Sequence, residues 1–290
     1  MHQRRTSQTQ SSIVTPPPPL HPPSSPTSNR TMATGHLKAP LQGKIALVTG
    51  ATGGIGTAVC RRLAALGCSI GIHYNSDQDA ALALLEEFKE EYMHAFGSKF
   101  ACYGADLGSY EEVRELHEHI VALLGPPNIL INNHGATIQT GVNSMDEVSV
   151  SAFENAWRIN CGSSYLLTQL CMPALEGEGW GRIIFVSSVA GITGGIIGPH
   201  YASAKSALHG LIHWLANTYA RKGITVNGVA PALIEQTKML PGSNEELLKK
   251  VPVGRLGTPD EVAETVLWMI NTSYVTNKVI AVDGGMVPQH

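Results

Sequence analysis

"TGATGGIG", Thr49 to Gly56, lies between an apolar run, "KIALV" (44–48), and the stretch "IGTAVCRRLAALG" (55–67). The short run reads as a buried strand. The apolar residues after it recur at helical spacing and stop at Gly67, which reads as a helix with a glycine end. A glycine turn in that context has a mechanical meaning. Gly50 permits the tight turn, Gly54 removes a side chain where a diphosphate must approach, and Gly56 lets the helix pack closely on the sheet. The first helical turn then offers unpaired N–H groups and a positive dipole end to an anion.

Outward from this turn the same alternation continues. "SIGIHYN" (69–75), "FACYGADL" (100–107), "NILINN" (128–133), "GRIIFVSS" (181–188), "ITVNGVAP" (224–231) and "KVIAVDGG" (278–285) read as strands. Helices are expected over about 77–96, from a Ser109/Glu112 capping box to about 124, over 151–175 and 201–222, and from Thr258-Pro259-Asp260-Glu261 onward. Apolar strands alternating with helices predict an α/β fold, a doubly wound seven-stranded parallel sheet covered on both faces, in one domain over 41–290. Residues 1–40 contain "TPPPPLHPPSSPTSNRT", a Pro/Ser/Thr-rich composition that reads as a disordered extension. An upstream addition to a chain starting at Met32 is an equal reading of that segment.

Composition narrows the partners. A formal net charge of −3 argues against nucleic acid and membrane surfaces, and no apolar run approaches a membrane span. The five cysteines include no CxxC pair, so reduced thiols and a cytoplasmic location are expected, with no metal site. Arg4, Arg5 and Arg30 precede the first acidic residue, Asp77, which leaves a mitochondrial address as the alternative. His209 and His213 form HxxxH, but without further ligands they read as core or interface histidines.

"PHYASAKSALHG" (199–210) carries the chemistry. Tyr201 and Lys205 stand four apart, so on a helix they share a face. An ammonium beside a phenol favours the phenolate, and that lowers a pKa otherwise near 10. The pair is therefore expected to act as a general acid/base.

The TGxxxGxG turn, then "NNHG" (132–135), "SS" (187–188) and "YxxxK" (201–205) in that order resemble the short-chain dehydrogenase/reductase family. The likeness runs over about 43–290. It implies a Rossmann fold and an NAD(P)-dependent oxidoreductase, with Tyr201 as proton donor and Lys205 holding the nicotinamide ribose. Ser188, thirteen residues before Tyr201, would hydrogen-bond the carbonyl, and Asn160 would hold a water in the proton relay. The cofactor contacts implied are Gly50, Thr52, Gly54, Ile55 and Gly56 in the turn and Tyr74, Asn75 and Ser76 after the second strand. Asp106 and Leu107, Asn133 and Gly135, Tyr201 and Lys205, and Pro231 and Ile234 complete them. Tyr74 stands where NAD-dependent members carry a carboxylate, which favours NADP(H), with NAD(H) as the alternative through Asp77. His134 replaces the family's usual alanine, a change expected to alter the pocket wall without touching the chemistry.

The loop "PALIEQTKML" (231–240) resembles the family's substrate lid, with Thr237 or Gln236 near the cofactor carboxamide. The tail "VPVGRLGTPDEVAETVLWM" resembles 3-oxoacyl-carrier-protein reductases, which implies a homotetramer, or a dimer. A 3-oxoacyl thioester is the first expected substrate. A hydroxysteroid, polyol or secondary-metabolite ketone is the second, and a dinucleotide-binding sensor without catalysis the third.

Overall fold

A computed structural model of the chain describes residues 39–240 and 245–288. The extension expected over 1–40 falls, for residues 1–38, outside the described residues. Seven strands form one sheet: β1 (Ile45–Val48), β2 (Ser69–Tyr74), β3 (Phe100–Gly104), β4 (Ile129–Asn132), β5 (Gly181–Val186), β6 (Ile224–Pro231) and β7 (Val279–Val282). Every pairing is parallel, and the order across the sheet is β3-β2-β1-β4-β5-β6-β7.

The helices follow the strands in turn. They are α1 (Gly54–Ala65), α2 (Gln78–Phe88), the short α3 (His94–Phe96), α4 (Tyr110–Leu124), α5 (Val150–Trp157) and α6 (Ser163–Glu178). After β5 come α7 (Ala190–Thr193) and α8 (Pro199–Tyr219), and after β6 come α9 (Glu245–Leu248) and α10 (Pro259–Asn271). The helix expected at 77–96 is α2 and α3 joined by a π turn, Lys89–Met93. The helix expected at 151–175 is likewise interrupted by a π turn, Arg158–Gly162, which carries Asn160.

Strand periodicity explains the layers. Ala46, Val48, Ile129, Ile131, Ile184 and Val186 turn to one face and meet residues of α1, α2 and α10. Leu47, Leu130, Ile183 and Phe185 turn to the other and meet α4, α6 and α8. Both faces are covered, so the strands are apolar on both sides rather than alternating with polar residues. Thr258 and Glu261 form a complete capping box at α10. At α4 the box is half formed. Ser109 accepts from the Glu112 N–H, while the Glu112 carboxylate takes the N–H of Asp106 instead. Four of the five free cysteines are buried and Cys102 is half-buried. No helix among the described residues is long and apolar enough to cross a membrane.

Candidate active site

Strand order reverses between β1 and β4, and a doubly wound sheet opens a crevice at the carboxyl ends of such a pair. The glycine turn leaves β1 at this crevice, and "NNHG" leaves β4 beside it. Gly50 has φ +61°, and a Cβ on Gly56 would fall 2.3 Å from Gly50 O. Neither position accepts another residue without movement. A Cβ on Gly54 would sit 2.5 Å from Gln236 O, so the lid backbone crosses directly over the turn. Gly53 precedes α1 and offers no side-chain cap, which leaves the first-turn amides of that helix for an anion. Thr52 and Ile55 stand half-buried on the same turn.

The turn is held from both sides. Asn133 Nδ2 donates to Thr49 O at 2.9 Å and Gly50 O at 3.0 Å. Gly50 N–H donates to His73 Nδ1 at 3.0 Å, and His73 Nε2 lies 3.0 Å from Ala105 O. The carbonyl only accepts, so His73 is the neutral Nε2–H tautomer. Burial pulls its pKa down to about 4.

At the end of β2, Tyr74 lies against Gly104, where a Cβ would meet the ring at 2.9 Å. Asn75 and Ser76 are exposed. Asp77 is already engaged: one carboxylate oxygen accepts from Ala80 N–H at the start of α2, and the other lies 3.4 Å from Lys238 Nζ of the lid. Asp106 is exposed and accepts from Gly108 N–H at 2.9 Å, while the Leu107 side chain is buried in the core. Pro231 ends β6, and Ile234 is buried at a bridge to Gly257. The Thr237 hydroxyl donates to Ile234 O and accepts from Leu240 N–H, so it is engaged within the lid turn itself.

The four residues expected to carry catalysis converge. Tyr201, Lys205 and Asn160 are buried and Ser188 is half-buried. The Ser188 hydroxyl lies close enough to Tyr201 to favour its phenolate, and it accepts from Ala190 N–H at 3.1 Å. Its neighbour Ser187 is committed elsewhere, donating to Lys205 O at 3.0 Å and lying 2.8 Å from His209 Nε2. That separates the two serines. His209 is thereby occupied on the sheet side, whereas His213 meets Asn277 at 2.6 Å.

Lys205 Nζ donates to Val186 O at 2.9 Å and lies 5.8 Å from the Tyr201 ring centroid. Burial pulls the ammonium down to about 8. The phenol behaves differently from the sequence expectation. Burial pushes Tyr201 up to about 12, opposed by Ser188 and not by Lys205. Desolvation disfavours the charged phenolate, and the ammonium 5.8 Å from the ring centroid does not offset it. Asn160 is fixed by Ala136, whose N–H donates to Oδ1 at 3.1 Å and whose carbonyl accepts from Nδ2 at 2.9 Å. A Cβ on Gly135 would lie 2.9 Å from Asn160 Oδ1 and 3.0 Å from Lys205 Nζ. Cys161 follows Asn160, but burial pushes its thiol up to about 11 and leaves it a poor nucleophile.

Two contributors were not legible as such. His134 does not line a pocket wall; it is buried against Thr49 and the π turn. Met239 brings its sulfur to 3.9 Å from the Tyr201 hydroxyl, and no spacing rule marks a lid methionine.

Residues 44–248 match the short chain dehydrogenase family. The chain is 36% identical over 256 residues to the 3-oxoacyl-[acyl-carrier-protein] reductase of Aquifex aeolicus, covering 86% of this chain and all of that protein. It is 32% identical over 249 residues to the acetoacetyl-CoA reductase of Allochromatium vinosum, covering 84% and 98%. Among solved structures it resembles a blue fluorescent protein from a metagenomic library in complex with NADPH. The TM-score is 0.77 at 32% identity, covering 86% of this chain and 99% of that one. With the sheet order, the glycine turn and the tyrosine–lysine helix all in agreement, the chain belongs to the short chain dehydrogenase family and is an NAD(P)-dependent oxidoreductase.

Proposed function

We propose that the chain reduces a ketone to a secondary alcohol with NADPH, Tyr201 giving the proton. The observation that carries this reading is the convergence of Tyr201, Ser188, Lys205 and Asn160 beside the glycine turn. The uncapped start of α1 fits a dinucleotide diphosphate, held by Gly50, Thr52, Gly54, Ile55 and Gly56 once the Gln236 carbonyl withdraws from over Gly54. Tyr74, Asn75 and Ser76 present no carboxylate to a 2′-phosphate, and Asp77 is drawn to Lys238. Both features favour NADP(H) over NAD(H). Asp106 and Leu107 would flank the adenine, Asn133 and Gly135 the ribose side, and Pro231 and Ile234 the nicotinamide end.

A bound reduced nicotinamide supplies hydride to the carbonyl carbon. Ser188 and Tyr201 orient the carbonyl oxygen, and the Tyr201 O–H passes its proton to that oxygen as the C–O bond becomes single. Lys205 binds ribose hydroxyls and keeps positive charge near the resulting phenolate, which is reprotonated from solvent by way of the Asn160 corner. With Tyr201 pushed up to about 12 by burial, the phenol carries its proton at neutral pH, as the donor in a reduction must.

The relatives favour a 3-oxoacyl thioester as substrate. A second reading, an uncharged apolar ketone, is favoured by the entrance. Met239 of the lid is exposed beside Tyr201, the loops after β4 and β5 expose Ile138, Met145 and Ile196, and segments 136–149 and 189–198 contain no Lys or Arg. A homotetramer is supported by two apolar faces. Phe153, Trp157, Tyr165 and Trp214 are exposed along α5, α6 and α8, and Trp268 is exposed on α10, next to the half-buried edge strand β7. The deciding test follows absorbance at 340 nm with NADPH and NADH against acetoacetyl thioesters, diketones and ketosteroids, with Tyr201→Phe as blank. NADPH-dependent turnover lost in the variant supports the reading. Cofactor binding without turnover in the native chain would favour a sensor.

A further inference from the structure

His134 reaches from the nucleotide turn to the helix turn that carries Asn160. Thr49 Oγ1 receives two backbone N–H groups, from Asn133 at 2.9 Å and from His134 at 3.2 Å, which fills its lone pairs. Its one hydroxyl proton has two acceptors within reach, Ile131 O at 3.1 Å and His134 Nδ1 at 2.8 Å. At the other end of the ring, Nε2 lies 2.9 Å from Ile159 O and 2.7 Å from Ser163 Oγ. A carbonyl only accepts, so the proton belongs on Nε2 and the lone pair on Nδ1 takes the Thr49 hydroxyl. Burial, helped by His73 and Lys205 nearby, pulls the imidazole down to about 3, so it stays neutral.

The two ends depend on this ring unequally. Without it, the Thr49 hydroxyl turns to Ile131 O, and the glycine turn remains tied through Asn133 Nδ2. Ile159 O keeps the Ser163 hydroxyl at 2.7 Å. No buried polar group therefore loses its only partner. What is lost is the tie between the end of β4 and the π turn, which is left with the Asn160–Ala136 bonds. The alanine of the related motif cannot span that gap.

We propose that His134 is a positioning residue: a neutral strut between Thr49 and the π turn that keeps Asn160 in register with Lys205 across Gly135. Its catalytic consequence rests on the proton path proposed above, whereas the strut itself does not. The corner is tight, since even a methyl group on Gly135 would crowd both Asn160 Oδ1 and Lys205 Nζ.

Amide hydrogen exchange and steady-state kinetics on the full chain test it together, with His134→Ala, His134→Gln and His134→Asn. Glutamine carries a donor to the place of Nε2, whereas asparagine reaches only the place of Nδ1. In His134→Ala, protection over 158–163 should fall by about ten-fold while 50–56 stays within about two-fold, the pattern of one lost hydrogen-bonded tie. Turnover should fall by about ten-fold or more with NADPH affinity held within about two-fold, as for a small misplacement of a relay group. His134→Gln should recover both readouts better than His134→Asn. Unchanged protection at 158–163, an equal loss at 50–56, or better recovery by asparagine would overturn the strut. Lost protection with unchanged turnover would overturn the positioning role. If the native chain reduces no carbonyl, the functional reading fails, and exchange still decides the strut.

Discussion

Around the glycine turn, Thr49, His73 and His134 have every polar side-chain atom paired within the protein. At the Tyr201 corner, the phenol has Ser188 nearby and a sulfur at 3.9 Å, and Ser188 accepts from one backbone amide. The contrast separates two duties. A region that only has to hold a shape gains from saturated hydrogen bonding. A region that must exchange a proton needs groups whose partners can be replaced by substrate atoms.

The largest effect should come from breaking the reactive side. Tyr201→Phe removes one hydroxyl and is expected to lower kcat by about 10²–10⁴, the range for a lost general acid. NADPH affinity, measured by fluorescence titration, should hardly move. A comparable loss of cofactor affinity would mean that the two regions are not separable.

The saturated side should fail in acid instead. His73 and His134 sit at about 4 and about 3, below the ordinary histidine value. Below about pH 6.5 the unfolded chain takes up protons that the native imidazoles refuse, so stability falls as pH falls. Once both states are protonated, the cost should be on the order of 3 kcal/mol for His73 and about 5 kcal/mol for His134. Urea midpoints between pH 7 and 5 should show the loss, and His134→Gln should flatten the slope.

Gly56→Ala sharpens the comparison from the other direction. Its Cβ would meet Gly50 O at 2.3 Å and Asn133 Nδ2 at 2.8 Å. A cost of about 1–3 kcal/mol in thermal unfolding is expected, together with lost NADPH binding. Retained binding would show that the turn can yield.

The smallest effect belongs to Lys205. Its ammonium, pulled down to about 8, is present below that pH and lost above it. Carbonyl reduction should therefore decline as pH rises through about 8. Stability should move the opposite way. Between about 8 and the unfolded lysine value the unfolded chain holds the extra proton, so the native state gains as pH rises. A pH–rate profile beside a pH–stability profile tests the pair of signs.

The sheet was legible because its evidence is local. "ITVNGVAP" is β6 residue for residue, and each apolar run is bounded by turn residues. Ser188 and Asn160 were found by their spacing in a family motif. The π turn that displays Asn160 was not, since a five-residue widening of a helix leaves no mark in apolar periodicity. The state of Tyr201 escaped for another reason. Sequence gives the neighbour four residues on, but not that Lys205 faces Val186 O. His134 looked like a wall residue because its partners lie 85 and 25 positions away.

The lid segment 236–239 has a consequence in time rather than in shape. Gln236 roofs the glycine turn, Lys238 reaches Asp77 at the start of α2, and Met239 touches Tyr201. One short piece of backbone thus shuts over both ends of the cleft at once. On the reading proposed above, the same segment must lift from the glycine turn to admit the cofactor and from Tyr201 to admit the ketone, so one motion gates both.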